Sequence, residues 1–489
     1  MNKIYLYVIA LLLVTSSCGE FLEETSQNLS YVHSTQDLDE LLIGNGYLQK
    51  NTNGDPYRFL WLDLMDDDVV HFLSKAPQDN KNVMFHVLKE FYKWTPYPFD
   101  DDQPNYYQGP LTWHKLYECI GMVNVILGEV ERFKEEKDYS RIKGEALFLR
   151  SFYYFYLVNL WGHPYNPGTA SIDLGVPIKL TDYIEDKGFS RNSVEECYRQ
   201  IVKDAKDAIV CLEGVVQQST RRANQNAARA LLAKTYLYMN EYQLALDECN
   251  AILEKPGGSV LIDLNTMTAA AYNTQRRKQT TSECIFTNSY GPILVQSTME
   301  TAAASSSLLN CYDADNDLRF NTGKDSHFFK YYLGSYFAQM KAGTSEVHSV
   351  SLILPEVYLN KAEALAMLDR TTEAIETLQE LRGKRMTNVG TIDLSGENLV
   401  NFIREERRRE LCYTGQRWFD LRRYAVHPKY PKKTRIEHPY YIWTGSSAIL
   451  EKTYVLEEYP SDGGWLLPFP KDALTSNDGV LKDNIRPER

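Results

Sequence analysis

The stretch from Gly144 to Leu160 limits the fold more than any other segment, because it lacks a polar face. Ala146, Leu147, Phe148, Leu149, Phe152, Phe155 and Leu157 would point in nearly every direction around a helix. A surface helix hides one apolar stripe, whereas a helix that is apolar all round must be enclosed by others. Trp161-Gly162-His163-Pro164 ends this one. The chain is therefore expected to wrap helices around a central helix.

Helical spacing recurs along the rest of the sequence. From Ser193 to Leu212, Val194, Cys197, Ile201, Ala205, Ala208 and Leu212 fall at three- and four-residue steps, and Ser193 with Glu196 forms a capping box. Between Asn224 and Pro256, Leu232, Ala233, Tyr236, Tyr242, Ala245, Cys249 and Ile252 match the spacing of a tetratricopeptide repeat. Tyr358, Ala362, Leu365, Ala374, Leu378 and Leu381 form a second copy, with Pro355 at a helix start. A free solenoid needs about three repeats with capped ends, so these two must pack on other elements. The stretches 50–110 and 257–344 are richer in Asn, Asp, Ser, Thr, Gly and Tyr and have little period. Loops of that length are uncommon unless they carry function. Residues 427–489 read as an irregular, Pro-rich segment wrapping the surface.

Lys3 precedes the apolar run Ile4 to Val14, and small residues then lead into Cys18. This is the pattern of a signal peptide, and the run is too short for a bilayer span, which takes about 20 apolar residues. Small residues meeting a Cys also resemble a bacterial lipobox, with residues 1–17 removed and Cys18 lipidated. Thr15 stands where Leu is usual. The other seven cysteines, Cys119, Cys197, Cys211, Cys249, Cys284, Cys311 and Cys412, include no close pair, so zinc knuckles and disulfide scaffolds are disfavoured.

Charge and motifs exclude several functions. With 53 Lys plus Arg against 65 Asp plus Glu, the formal charge of -12 offers no general attraction to nucleic acid. Phosphate-cradling Gly loops, H-E-x-x-H and G-x-S-x-G are absent, and no two His are spaced for helical metal binding. No cofactor or metal is expected. Asp66-Asp67-Asp68 and Asp100-Asp101-Asp102 could supply the paired acids of a glycosidase, although acidic triplets are ordinarily solvated turns or helix starts. The arginines between Arg404 and Arg423 alternate with Glu405, Glu406, Glu410 and Asp420, a pattern of intramolecular ion pairs.

Five segments together resemble the SusD/RagB family of outer-membrane nutrient-binding lipoproteins. They are the lipobox with Phe21-Leu22; Trp113-x-x-x-Tyr117-x-x-Ile120-x-x-x-Asn124; Gly144 to Phe155 with Leu160-Trp161-Gly162 and Gly175-Val176-Pro177; Arg191 to Leu212; and Ile403 to Leu411 through Gly415-x-Arg417-Trp418-Phe419-Asp420-Leu421-Arg422-Arg423. Leu466-Leu467-Pro468-Phe469-Pro470 is similar to the family's last strand, whereas Asp483-Asn484-Ile485-Arg486-Pro487 replaces its usual closing Asn-Pro-Gly-Tyr. The resemblance implies a single mostly α domain over 18–489. Tetratricopeptide-like helix pairs near 113–160, 193–255 and 354–386 would form its scaffold. Long irregular loops near 50–110 and 257–344, with a few short strands, would carry the ligand face. It also implies a non-enzymatic, lipid-anchored protein on the outer face of the outer membrane that captures oligosaccharides for a SusC-like, TonB-dependent transporter. The RagB branch implies peptides instead. A secreted glycosidase and a tetratricopeptide adaptor are the competing classes.

A pyranose presents apolar C–H faces and hydroxyl edges, and so asks for aromatic platforms flanked by amides, carboxylates or guanidiniums. Aromatic residues are 12% of the chain and include 34 Tyr, a residue with an apolar face and a polar edge. The candidate platform residues are Trp94, Tyr97, Asn105, Tyr106 and Tyr107 in the first loop region, and Tyr290, Tyr312 and Arg319 in the second. Trp113, Trp161 and Trp418 lie inside helical motifs and are expected in the core.

Overall fold

Helices dominate the computed structural model of the protein, which describes residues 32–48, 59, 61–73, 83–99, 111–275, 280–287, 301–320, 326–332, 337–340 and 350–489. The first half holds α1 (Thr35–Leu41), α2 (Leu62–Met65), β1 (Val69–His71), α3 (Val83–Tyr92), α4 (Leu111–Glu129), α5 (Tyr139–Trp161), α6 (Val194–Cys211), α7 (Gln225–Tyr238) and α8 (Tyr242–Glu254). The second half begins with α9 (Ala269–Gln275), β2 (Cys284–Phe286), β3 (Ala302–Ala304), α10 (Ser306–Leu309), β4 (Phe329–Tyr332), β5 (Phe337–Met340) and β6 (Leu352–Ile353). It ends with α11 (Leu354–Met367), α12 (Thr371–Gly383), α13 (Gly396–Leu411), α14 (Arg417–Ala425), β7 (Ile436–Trp443), β8 (Ala448–Leu456) and α15 (Lys471–Ser476). No described helix is long and apolar enough to cross a membrane.

The apolar segment becomes α5, and every residue from Gly144 to Trp161 is buried. α4 and α6 flank it. At Gly144 the neighbouring helix comes so close that a β-carbon would stand 2.6 Å from Leu212 Cγ, which explains a glycine inside an otherwise bulky helix. Arg150 fixes the register of the three helices. It donates two bonds of 2.8 Å to Asp204 on α6 and one of 2.9 Å to Asn124 on α4, whose amide in turn donates to Lys179 O.

The capping box of α6 is formed as the spacing predicts, with Glu196 N donating to Ser193 Oγ and Ser193 N to the Glu196 carboxylate. Asn224 caps α7, and Pro355 occupies the first turn of α11. The two repeat-like pairs, α7/α8 and α11/α12, lie far apart in sequence but touch through α8 and α11. They continue the row begun by α4, α5 and α6, so the helices that the second repeat needs come from the first half of the chain.

Among the described residues the strands form four separate antiparallel pairs: β1 with β3, β2 with β6, β4 with β5, and β7 with β8. The last pair corrects one expectation, because residues 427–489 are not merely an irregular wrap. Ile436–Trp443 and Ala448–Leu456 make a long hairpin, and β1 packs against β7. The segment Leu466 to Pro470 is extended but unpaired as a strand, and Leu467 N donates to Leu160 O at the end of α5. The atypical closing sequence makes firm contacts there: Asn484 donates to Trp161 O and Leu467 O, both at 2.7 Å.

Candidate ligand face

Chain segments that look alike in sequence have opposite placements in the fold. Trp94 follows α3 and is fully buried, so it cannot serve as an exposed platform. Its indole stacks on His438 at 4.1 Å, Nε1 donates to Met65 O at 2.9 Å, and the Arg489 guanidinium lies 5.7 Å from the ring. Its φ of 52° is left-handed, unfavourable for a bulky residue, and these contacts hold it there. His438 is clamped between Trp94 and Tyr92, and burial lowers its pKa to about 4. Its two ring nitrogens face Tyr92 O and Asp66 O, and the neutral ring donates to one of them.

Tyr312 and Arg319 are likewise interior, which removes both from the exposed ligand surface. Tyr312 donates to Arg409 O at 2.8 Å and packs edge-on against Phe320 and Phe329. Arg319, with no exposed surface, meets Asp317 at 2.8 Å, Glu406 at 2.6 Å and Glu410 at 2.8 Å. It belongs to a buried lattice along α13 and α14. Arg382 and Arg409 also reach Glu406; Arg385 bridges Glu410 and Glu283; Arg407 bridges Asp420 and Glu356; Arg423 bridges Asp420 and Glu363. Against the upward push of burial, Arg319, Arg409 and Arg382 hold Glu406 well below the ordinary carboxylate range. The ion pairs expected from the alternating charges are thus present, and they are interior.

Tyr97 is half-buried. Its ring packs edge-on against Phe99 at 5.4 Å, Lys471 Nζ lies 4.1 Å from its centroid, and its hydroxyl accepts from Lys471 N. Asn105, Tyr106, Tyr107, Tyr290 and the anchor residue Cys18 lie outside the described residues.

Sequence reasoning missed the aromatic side of the β7–β8 hairpin. Tyr440 lies between His71 of β1, stacked at 4.8 Å, and Lys93, whose Nζ is 4.4 Å from the ring centroid. Tyr454 meets Tyr440 edge-on and sits 5.5 Å from the same ammonium. Burial, with Glu451 and Glu90 nearby, pushes the Tyr440 phenol up to about 12. Toward the hairpin end, Tyr441 and Trp443 are half-buried, and Ile442, Ile449 and Leu450 are exposed. Trp443 pairs with Ala448, a partner too small to cover an indole. Tyr440 and Tyr454 share Lys93, with Glu90 and Glu451 nearby, and Tyr441 and Trp443, two residues apart on β7, add half-buried rings, so the hairpin carries the flat apolar faces and charged edges that a sugar requires. The signal was legible in principle: Tyr440-Tyr441-Ile442-Trp443 and Thr453-Tyr454-Val455 flank the turn-rich Thr444-Gly445-Ser446-Ser447.

The fold and this surface define a class: a helical, tetratricopeptide-like scaffold that carries small sheets and an aromatic hairpin. Residues 20–237 match the family model described as starch-binding and associating with the outer membrane, and residues 267–486 match the SusD family model. SusD-like protein P2 of Formosa agariphila is 24% identical over 431 residues, covering 76% of this chain and 79% of the relative. A SusD superfamily protein from Bacteroides thetaiotaomicron superposes with a TM-score of 0.69 at 22% identity, over 93% of this chain and 100% of the other. A SusD-like carbohydrate binding protein from Bacteroides vulgatus gives 0.66 at 19% identity, over 92% and 97%. The chain belongs to the SusD/RagB family.

Proposed function

We propose that the protein is a surface lipoprotein, anchored through Cys18 to the outer membrane, that captures oligosaccharides and delivers them to a SusC-like, TonB-dependent transporter without chemical turnover. The observation that carries this reading is the match of residues 20–237 to a family model described as starch-binding and associating with the outer membrane. The half-buried rings of the β7–β8 hairpin support it: Tyr440 and Tyr454 lie beside Lys93, Glu90 and Glu451, and Tyr441 and Trp443 add further aromatic faces, a combination that suits a pyranose. Tyr97, Asn105, Tyr106, Tyr107 and Tyr290 remain proposed ligand contacts.

Affinity electrophoresis of the purified protein through gels containing plant, fungal and host polysaccharides tests the proposal. Retardation by one class supports glycan capture and names the substrate. No retardation by any polysaccharide, together with binding of a peptide pool in solution, overturns the glycan reading in favour of peptide uptake. Surface retention of a Cys18→Ala variant would contradict the anchor.

A further inference from the structure

The connection between α5 and α6 turns its polar groups inward and its apolar ones outward. Lys179 Nζ donates to Tyr183 O at 2.6 Å and to Glu185 at 3.2 Å, and Thr181 Oγ1 donates to the same carboxylate at 2.8 Å. Its base is strapped to the scaffold. Tyr154 of α5 exchanges two bonds of 2.8 Å with the Lys179 backbone, and Asn124 of α4 donates to Lys179 O and Thr181 O. What is left outside is apolar: Leu180 is exposed, Tyr183 is 62% exposed and Ile184 97%. The C-terminal segment enlarges this surface. Phe189 N donates to Asn477 Oδ1 at 2.6 Å, and a β-carbon on Gly188 would stand 3.0 Å from Val480, itself exposed. A loop that meets only water has no reason to hold isoleucine and tyrosine out on a hydrogen-bonded frame, whereas a docking loop does.

The position of the loop says where its partner lies. Asp182 packs on the last turn of α4, so close that a β-carbon on Gly128 would stand 2.6 Å from Asp182 Oδ2. The start of α1 is tied down just beyond the same end of α4, where Thr35 donates from its nitrogen and its hydroxyl to Glu136 at 2.9 and 2.6 Å. Thirteen residues separate Cys18 from Val32, a reach of at most about 50 Å at full extension. An anchor at Cys18 therefore keeps this end of the protein near the membrane. Residues 178–189 and 477–485 hold five acids against three bases, which disfavours an anionic lipid surface and favours a protein surface with a basic rim.

We propose that Leu180, Tyr183, Ile184 and Val480 form the surface through which the chain docks on a membrane-embedded protein whose facing side is apolar at its centre and basic at its rim. The inference rests on the proposed function, in which that protein is the transporter. The hydrogen bonds around Lys179 hold the apolar side chains out in advance, so docking orders little that is not already ordered.

The test is co-purification of the full, lipid-anchored chain with TonB-dependent barrels from detergent-solubilised outer membranes of its host, comparing the parent with Ile184→Asp. The expected result is a barrel retained by the parent and at least tenfold less of it by Ile184→Asp, with the melting temperature and the retardation in polysaccharide gels unchanged. Equal retention by Ile184→Asp and Tyr183→Asp overturns the docking surface and leaves the transporter reading intact. A parent that carries no barrel overturns both. Sedimentation of a Cys18→Ala chain with vesicles of outer-membrane lipid, lost when Ile184→Asp is added, overturns the proposal in favour of a lipid contact.

Discussion

The end of α3 and the β7–β8 hairpin both carry tryptophan, tyrosine and cationic side chains against aromatic rings, yet they do different work. Around Trp94 every group is spent inward: the indole proton on Met65 O, one ring face on His438, and Arg489 packed beside it. Around Trp443 the cross-strand partner is an alanine, and the neighbouring Ile442, Ile449 and Leu450 are exposed. The same residue types hold the fold together in one place and remain available to a ligand in the other. What separates the two is how many long-range partners converge on the ring.

Four changes would break or sharpen that contrast. The largest effect is expected from Arg319→Met, which takes one guanidinium away from Glu406, Glu410 and Asp317 in the interior; removing one member of a buried ion network costs about 3–5 kcal/mol. Denaturant unfolding should show it as a lower midpoint at constant slope. Trp94→Ala should follow at about 3 kcal/mol, since it empties a fully buried site. A variant that melts like the parent yet loses ligand would reverse the roles assigned to the two tryptophans.

The third effect is a pH dependence. His438 has a folded pKa of about 4 and His427 likewise about 4, both below the usual 6.5, so each binds a proton more readily once unfolded. Their contribution is fully present above pH 6.5 and is lost as pH falls toward 4, on the order of 2–3 kcal/mol for each at most. Below about pH 4 the depressed carboxylates Glu406, Glu410, Glu363 and Asp420 add a further loss. Melting curves between pH 7.5 and 4.5 check the histidine window, and His438→Gln should flatten it. The smallest effect on stability is expected at the hairpin: Trp443→Ala should stay within about 0.5 kcal/mol of the parent.

How much of this was legible in the sequence depended on the range of the interactions involved. The enclosure of α5, the cap at Ser193 and the repeat-like spacing of α7, α8, α11 and α12 are local or periodic, and the structure carries them out. The arginine-rich segment announced its ion pairs through alternating charge but not their burial, because Glu356 and Glu363 arrive from α11 and Glu283 from the turn before β2. Trp94 and Tyr312 looked like platforms because they stand in polar, aperiodic stretches. Their fate is set by His438, Arg489 and the Arg409 carbonyl, all about a hundred or more residues away. The Asp66–Asp68 triplet misled for the same reason: Asp66 and Asp68 are buried, and Arg408 and Arg417 approach from the other end of the chain.

The most direct test of the account is a titration of the retarding polysaccharide's oligosaccharide into the parent and into Trp443→Ala, with melting temperatures measured in parallel. The account predicts that Trp443→Ala weakens binding by about tenfold, equivalent to about 1.4 kcal/mol, with its melting temperature unchanged. Undiminished affinity in Trp443→Ala would contradict it and move the ligand face away from the hairpin.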